Sequence, residues 1–533
     1  MKAVMELERA TLSAEQKLGL LICADLTYRI DDMDLALEMI RNHALGGVWI
    51  QPEREGGMDR LRRVLEAADY PILIMCDAER GFGDVQIPNL IALTAAGKRR
   101  EAAYAFGRRS AALLRRVGVN AICNPLIDIA ENKSYPCGGN TRSLGSDRET
   151  VLELSAAIAE GMHESGVLTV GKHYPFTEGS TPYDTHMREG NADMTADELR
   201  DSLSVFKALV GRGLLDGIMT GHMRFPRIDP DNPTTLSAPM IAFAREAGFD
   251  GFITTDALNM MGILSKHGRR EPVALAVKAG NDIPLSMGLS LRESYEGLCE
   301  AYKNGSIPEA TVEAALTHVL AAHHKVAELP KEPPLYEEDL LEVETVSRNC
   351  IAAVCEEGLT PHLSREGRHL FTIVTNERAD AESKEYTPGP RDWFFPHRIA
   401  RRLLELFPNS EVAFHPIFPE GVDNAPYLNR QLRFDDVVFI TSYSTVAYTG
   451  REQLTYRIVD LMDALQSTDR IAAYLHFGNP YVAAGAPYVK RMLLGYCSEA
   501  CVMHGLEILA GNAEAVGIVP YDIEFHKKGD LFI

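Results

Sequence analysis

The chain has 533 residues, too many for one ordinary domain and enough for two to four. Its 46% apolar content can furnish sizeable cores, and no stretch has the composition of a disordered or low-complexity segment. With 54 basic and 75 acidic residues the formal net charge is -21, which argues against a nucleic-acid partner because phosphates repel such a surface. The N-terminal MKAVMELERATLSAEQ lacks the apolar core and cleavage site of a secretory signal, and no apolar run approaches bilayer-spanning length. The nine cysteines are scattered, several inside apolar runs (Cys23, Cys76, Cys123), with no CxxC pair. They are expected to be small core residues in a reducing compartment. The expected location is the cytoplasm, with no membrane partner; a homo-oligomer stays open.

Up to about Leu329, short apolar runs alternate with amphipathic helical patterns. The expected strands are 18–24, 46–50, 71–79, 119–129, 168–175, 216–222, 251–257 and 281–287, with helices such as Arg99 to Arg116 and Arg148 to Ser165 between them. Eight buried-type strands alternating with helices predict a parallel α/β fold, a (β/α)8 TIM-like barrel spanning 1–328. An open doubly wound sheet is the alternative, but no glycine-rich phosphate loop follows the first strand. Thr195 and Glu198 have the spacing of a capping box, so a helix is expected to start there.

The prolines of LPKEPPL, Leu329 to Leu335, stop the preceding helix near His324 and open a linker over 329–340. His323 and His324 read as a basic pair favouring a helix C-terminus. From 341 to 533 the runs 369–375, 436–443, 470–477 and 491–497 alternate with helical patterns near Arg398 to Leu406 and Gln453 to Leu465. They predict a smaller three-layer α/β sandwich domain.

Polar residues cluster at the ends of the apolar runs of the first domain. Asp77 and Glu79 end the third run, Lys172 and His173 the fifth, His222 the sixth and Asp256 the seventh. In a parallel barrel these positions share the C-terminal mouth, where such enzymes place their chemistry. The segment Leu168 to His186, LTVGKHYPFTEGSTPYDTH, adds a long polar loop that delivers Asp184 and His186 two residues apart. A carboxylate at a buried strand end, such as Asp256, suits a nucleophile that bonds to a sugar; the plain alternative is a helix cap.

These motifs, in this order, resemble family 3 glycoside hydrolases. MCDAERGFG (75–83), the segment VGVNAICNPLIDIAEN with TRSLGSD (141–147) after it, Lys172-His173, and TDALNMMG around Asp256 carry the likeness. The stretch that begins FGNPYVAAGAPYVKRMLLGYC and runs to Pro520 resembles the family's C-terminal domain. Asp184-Thr185-His186 is similar to the triplet of the β-N-acetylhexosaminidase branch, where the histidine is the acid/base and the aspartate orients it. The resemblance implies Asp256 as nucleophile of a retaining mechanism, His186 as acid/base and Asp184 as its partner. It also implies Asp77, Arg142, Lys172 and His173 as ligands of the terminal sugar, with His222 in the same wall. No cofactor and no metal is implied.

The chain departs from that pattern at Phe176, which replaces a glycine after Pro175, and in a Lys172-to-Asp184 spacing one residue longer. Arg80 is placed more as in the family's β-glucosidases. A β-glycosidase for a sugar without the acetamido group, and a phosphorylase, therefore stay open, as does a non-catalytic sugar-binding homologue. A metal-dependent barrel hydrolase using Asp77, His173 and His222 is a further alternative, though the His-x-His that such barrels carry after the first strand is missing.

Overall fold

In the computed structural model, which describes residues 7–87, 89–130, 142–176, 185–375, 394–443, 454–496 and 498–530, the first apolar run is split between two elements. Ser13 and Gln16 cap each other reciprocally and start a helix over Ala14–Leu20, leaving Cys23–Asp25 as strand β1. A short buried run has no period that separates strand from helix, so the cap decides.

Two compact units are present, one of Met1–Gln86, Ala103–Cys137 and Asp147–Leu340, the other of Ile87–Ala102, Gly138–Ser146 and Leu341–Ile533. In the first, β1 is followed by β2 (Gly47–Trp49), β3 (Leu73–Cys76), the hairpin β4 (Gly81–Phe82) and β5 (Val85–Gln86), and β6 (Ala121–Ile122). Then come β7 (Leu168–Tyr174), β8 (Gly190–Asn191), β9 (Gly217–Thr220), β10 (Met223–Arg224) and β11 (Phe252–Thr255). The main sheet has seven parallel strands in the order β1-β2-β3-β6-β7-β9-β11. Each new strand joins on the same side of the last, so the twist accumulates into a curled half-barrel.

The run 281–287 is not a strand, contrary to expectation, and forms a single bridge between Leu285 and Cys23. Asp282 and Ile283 donate N–H to Ile253 O, Cys23 donates to Pro284 O, and Ser286 donates to Cys23 O. The run thus bonds to both outer strands, β11 and β1, while Pro284 has no N–H with which to extend a ladder. The helices expected over 99–116 and 148–165 are found at Arg100–Val117 and Arg148–Glu164. The Thr195–Glu198 capping box is formed and starts Ala196–Ser202.

The helix Glu309–Glu328 runs past His324 and ends before the prolines. His323 does not serve its C-terminus: the ring is buried, its Nε2 lies 2.7 Å from Gly46 O, and burial pushes its pKa down to about 4. The proline-rich stretch beyond it is held by the helix Arg100–Val117. Arg115 Nε donates to Pro330 O at 2.7 Å, Arg116 Nε to Pro333 O at 2.9 Å, and Arg108 clamps both oxygens of Asp339.

The second unit is built on a six-stranded sheet of β12 (Ala352–Cys355), β13 (His369–Thr375), β14 (Glu411–Pro416), β15 (Asp436–Tyr443), β16 (Ile471–Gly478) and β17 (Arg491–Gly495). Its order is β12-β17-β16-β15-β13-β14, with β12 antiparallel and the others parallel, a doubly wound arrangement. The sequence misses β12 and β14, the two edge strands, because an edge strand needs no continuous apolar run. Phe439, Tyr474, Ile458 and Met462 anchor the core. No helix among the described residues is long and apolar enough to cross a membrane.

Asp216 at the start of β9 fastens the opposite edge of the sheet. It accepts from Thr169 N–H (3.1 Å) and Lys325 Nζ (2.9 Å) and pairs with His163 Nε2 (2.8 Å). Burial raises its pKa, but His163 and Lys325 outweigh that and hold it at about 2, against an ordinary value of 3.8. The carboxyl therefore contributes about 2 kcal/mol of stability above its unfolded pKa, lost as pH falls through its folded one. Asp216→Asn is expected to destabilise the protein near neutral pH, and the gap from wild type to close between pH 4 and 2. Urea unfolding at stepped pH measures this, and a gap independent of pH would refute the ionic explanation.

Candidate active site

Each of the seven main strands leads, at one edge of the sheet, to a buried or half-buried polar residue, which for β2 is Gln51. Asp25 ends β1, Asp77 and Glu79 follow β3, and Asp128 lies beyond β6. Lys172 and His173 lie in β7, His222 follows β9 and Asp256 follows β11. Parallel strands bring such residues to one rim, and hydrogen bonds show which of them meet.

Strand β7 is the hinge of the arrangement. Its register against β9 steps from Lys172↔Met219 to Tyr174↔Thr220, leaving His173 in a bulge. A regular strand sends neighbouring side chains to opposite faces, and the bulge lets two consecutive residues serve one site. Lys172 is 2% exposed, and its Nζ lies 2.7 Å from Asp77 Oδ1 and 3.1 Å from Glu79 Oε2. Asp77 is the outer partner, its side chain 38% exposed and open to a ligand. His173 turns the other way: Asp128 Oδ2 takes both its backbone N–H (3.0 Å) and its Nδ1 (2.8 Å). That bond fixes the ring so that Nε2 faces Asp256 Oδ2 at 3.9 Å.

Asp256 is anchored by its own N–H to Thr220 O (2.9 Å) and by Ala257 N–H to its Oδ1 (2.7 Å). Burial pushes its pKa up, but His173, His222 and His186 outweigh burial and hold it well below the usual carboxylate range. The carboxylate is thus ionised throughout the working range of an enzyme. His222 is 1% exposed, and burial pushes its pKa down. The ring meets Ala257 O at Nε2 (3.0 Å) and Thr235 Oγ1 at Nδ1 (2.8 Å). Both nitrogens are engaged by protein.

His186 reaches this cluster from its loop. Met261 N–H donates to His186 O (3.2 Å), and Gly262 N–H donates to Thr185 O (3.1 Å). A Cβ on Gly262 would lie 3.2 Å from both His222 Cβ and Thr185 O, so glycine permits this close approach. His186 is also among the groups that hold the Asp256 pKa down. Asp184 lies outside the described residues, and Arg142 belongs to the second compact unit. Phe176 is not in the cluster. It is 2% exposed, at φ 63°, with its ring packed against Tyr174 (5.6 Å) and Phe206 (5.3 Å).

Residues 14–322 match the family described as glycosyl hydrolase family 3 N terminal domain. The chain belongs to glycosyl hydrolase family 3. It is 27% identical over 96% of its length to the beta-N-acetylglucosaminidase/beta-glucosidase of Cellulomonas fimi, of which 94% is covered. It is 30% identical over 47% of its length to the beta-hexosaminidase of Tolumonas auensis, of which 77% is covered. A family 3 beta-N-acetylglucosaminidase from Paenibacillus sp. str. FPU-7 shares its fold at a TM-score of 0.77 and 23% identity, over 96% of this chain and 99% of that one. The beta-glucoside phosphorylase BglX shares it at 0.81 and 24% identity, over 96% and 94%. The protein is thus a glycoside hydrolase with beta-hexosaminidase relatives.

Within this glycoside hydrolase, some residues of the site are not singled out by the sequence. Asp128 follows an apolar run just as Asp77 does, and the same rule finds it. Asp25 also follows a run, and its carboxylate binds Thr27, Tyr28 and Gly288 N–H groups, so it organises loops. Thr235 carries no pattern at all. Among the described residues no three His, Cys, Asp or Glu side chains are placed to hold a metal ion, so Asp77, His173 and His222 do not form a ligand set.

Asp128→Ala removes the carboxylate that meets His173 Nδ1. Loss of a buried hydrogen bond of this kind, about 1.5–3 kcal/mol, is expected to lower kcat/KM on an aryl glycoside by about 10- to 100-fold. Steady-state kinetics check this, and an unchanged kcat/KM would show that His173 needs no such partner.

Proposed function

We propose that the protein is a retaining exo-β-N-acetylglucosaminidase whose first unit is a (β/α)8 barrel, with residues 282–286 in the eighth strand position. The observation that carries the reading is the Asp256 carboxylate just beyond β11, anchored by Ala257 N–H at 2.7 Å and faced by His173 Nε2 at 3.9 Å. The Cellulomonas fimi relative, matched over nearly the whole chain, supplies the substrate class. Asp256 attacks the anomeric carbon as the bond to the aglycone oxygen breaks, and His186 gives that oxygen its proton. His186 then takes a proton from water, which attacks the same carbon and releases Asp256, so configuration is retained. Asp184 orients His186. Asp77, Lys172 and His173 hold the sugar hydroxyls. His222, with both nitrogens engaged, holds Ala257 behind the nucleophile and acts as a positioning residue.

A second reading is favoured by the double name of that relative, which includes beta-glucosidase. Hydrolysis and transfer to phosphate are both compatible with a neutral acid/base, since an imidazole does not repel a phosphate anion. Rates on aryl β-N-acetylglucosaminides and aryl β-glucosides, with and without phosphate, discriminate the readings. We expect the N-acetylglucosaminide to be preferred and phosphate to leave the product a free sugar; a sugar 1-phosphate would convert the assignment to a phosphorylase. A 5-fluoro glycoside is expected to label Asp256, seen by peptide mass, and a label on another residue would sink the mechanism. Asp256→Asn should lose at least about 10³-fold in kcat.

Phe176 allows a separate test of what selects the sugar. Phe176→Ala removes a buried ring and is expected to cost about 3–5 kcal/mol of stability. The ratio of rates on the two sugars should stay at the wild-type value. A changed ratio, measured below the lowered Tm, would return Phe176 to the sugar site.

A further inference from the structure

The segment beyond His186 ends in an ion-pair node. Glu189 Oε1 lies 2.7 Å from Arg224 Nε, and Glu189 Oε2 lies 2.5 Å from Lys266 Nζ. The Glu189 side chain is 17% exposed and that of Arg224 23%, so neither end of that pair is a freely solvated surface charge. Arg224 lies on β10, immediately beyond His222, and Lys266 lies downstream of Asp256. One carboxylate therefore joins three segments: the one carrying His186, the one leaving the His222 strand and the one leaving the Asp256 strand.

Backbone bonds reinforce the same junction. β8 and β10 pair through Gly190↔Met223 and Asn191↔Arg224, and Ala192 N–H donates to Arg224 O at 2.8 Å. Arg224 Nε also donates to Asn191 Oδ1 at 3.0 Å. On the other side of His186, Met261 and Gly262 bind the backbone of His186 and Thr185. His186 is held between these two sets of bonds, and its own turn, residues 185–188, has no regular element to stiffen it. By contrast, the nearby Arg227–Asp193 pair is 54% and 63% exposed, the kind of ion pair that contributes little.

We propose that Glu189 is a positioning residue for the acid/base, fixing the His186 segment to both the His222 and the Asp256 loops at once. The proposal rests on the reading of His186 as acid/base. A proton donor works only when its nitrogen sits within hydrogen-bond reach of the leaving oxygen, and a displacement of about 1 Å can cost about 100-fold. Glu189 binds no substrate; it sets where His186 stands. Loss of it should therefore resemble a mild loss of the acid/base and not a loss of sugar binding.

The test uses kcat and KM of the full-length protein with Glu189→Ala, Glu189→Gln, Asp193→Ala and His186→Ala. Two substrates are compared, a phenyl glycoside, whose poor leaving group needs a proton, and a dinitrophenyl glycoside, whose leaving group does not. For Glu189→Ala the phenyl kcat/KM should fall by about 10- to 100-fold, while the dinitrophenyl kcat/KM stays at the wild-type value. On the dinitrophenyl substrate kcat and KM should fall together, as the glycosyl-enzyme accumulates. Glu189→Gln, which keeps the hydrogen-bonding shape, should recover part of the phenyl rate, and Asp193→Ala should match wild type on both. Equal rates on both substrates for Glu189→Ala, or equal falls on both with a lowered Tm, would overturn the proposal. If Glu189→Ala does not fold, the same comparison with Glu189→Gln decides. If His186→Ala shows no leaving-group dependence, the acid/base reading fails; if His186→Ala shows it and the Glu189 variants do not, the positioning proposal alone fails.

Discussion

An ammonium group that is 2% exposed survives in a folded protein only where carboxylates meet it, and Lys172 meets two. Burial of a single ion costs several kcal/mol even after relaxation, so Lys172 without Asp77 and Glu79 would be strongly destabilising. The converse holds too, since two carboxylates beside one another need the cation between them. This mutual requirement ties β3 to β7 across β6, which lies between them in the sheet. Asp77 is the more exposed of the two carboxylates, its side chain 38% exposed against 9% for Glu79.

The neighbouring residue, His173, solves a different problem. Burial works against the charge of Asp256. Three imidazoles from three segments, His173, His222 and His186, supply the compensation, and each is restrained by the protein elsewhere. Lys172 is instead paired with Asp77 and Glu79. The bulge in β7 makes the division of labour possible by turning Lys172 towards β3 and His173 towards β11. A regular strand would have sent one of them into the surrounding helices.

Legibility in the sequence obeys the same physics. Asp77, Lys172, His173, His222 and Asp256 announce themselves because a polar residue ending an apolar run stands out on its own segment. Residues that matter as partners do not. Glu189 looks like one surface acid among the 75 acidic residues until Arg224 and Lys266 are seen on either side of it. Asp128 is visible by the strand-end rule and gains its meaning only from His173. The first and eighth runs mislead for a local reason: a capping box claims part of the one, and Pro284 interrupts the other.

Phe176 shows most clearly why a pattern of residues does not give a geometry. Where the family has glycine, a phenylalanine suggests a ring hanging over the sugar. The backbone at that position has φ 63°, the left-handed region that explains a glycine there without any need for space around it. Phenylalanine accepts the conformation at a cost of about 1–2 kcal/mol, which burial of its ring beside Tyr174 and Phe206 offsets. The ring therefore fastens the exit from β7, just as Glu189 fastens the chain beyond His186. Two anchors of different chemistry, one apolar and one ionic, thus stand on the two sides of residues 177–186. At this position the ring is a buried packing group on Tyr174 and Phe206.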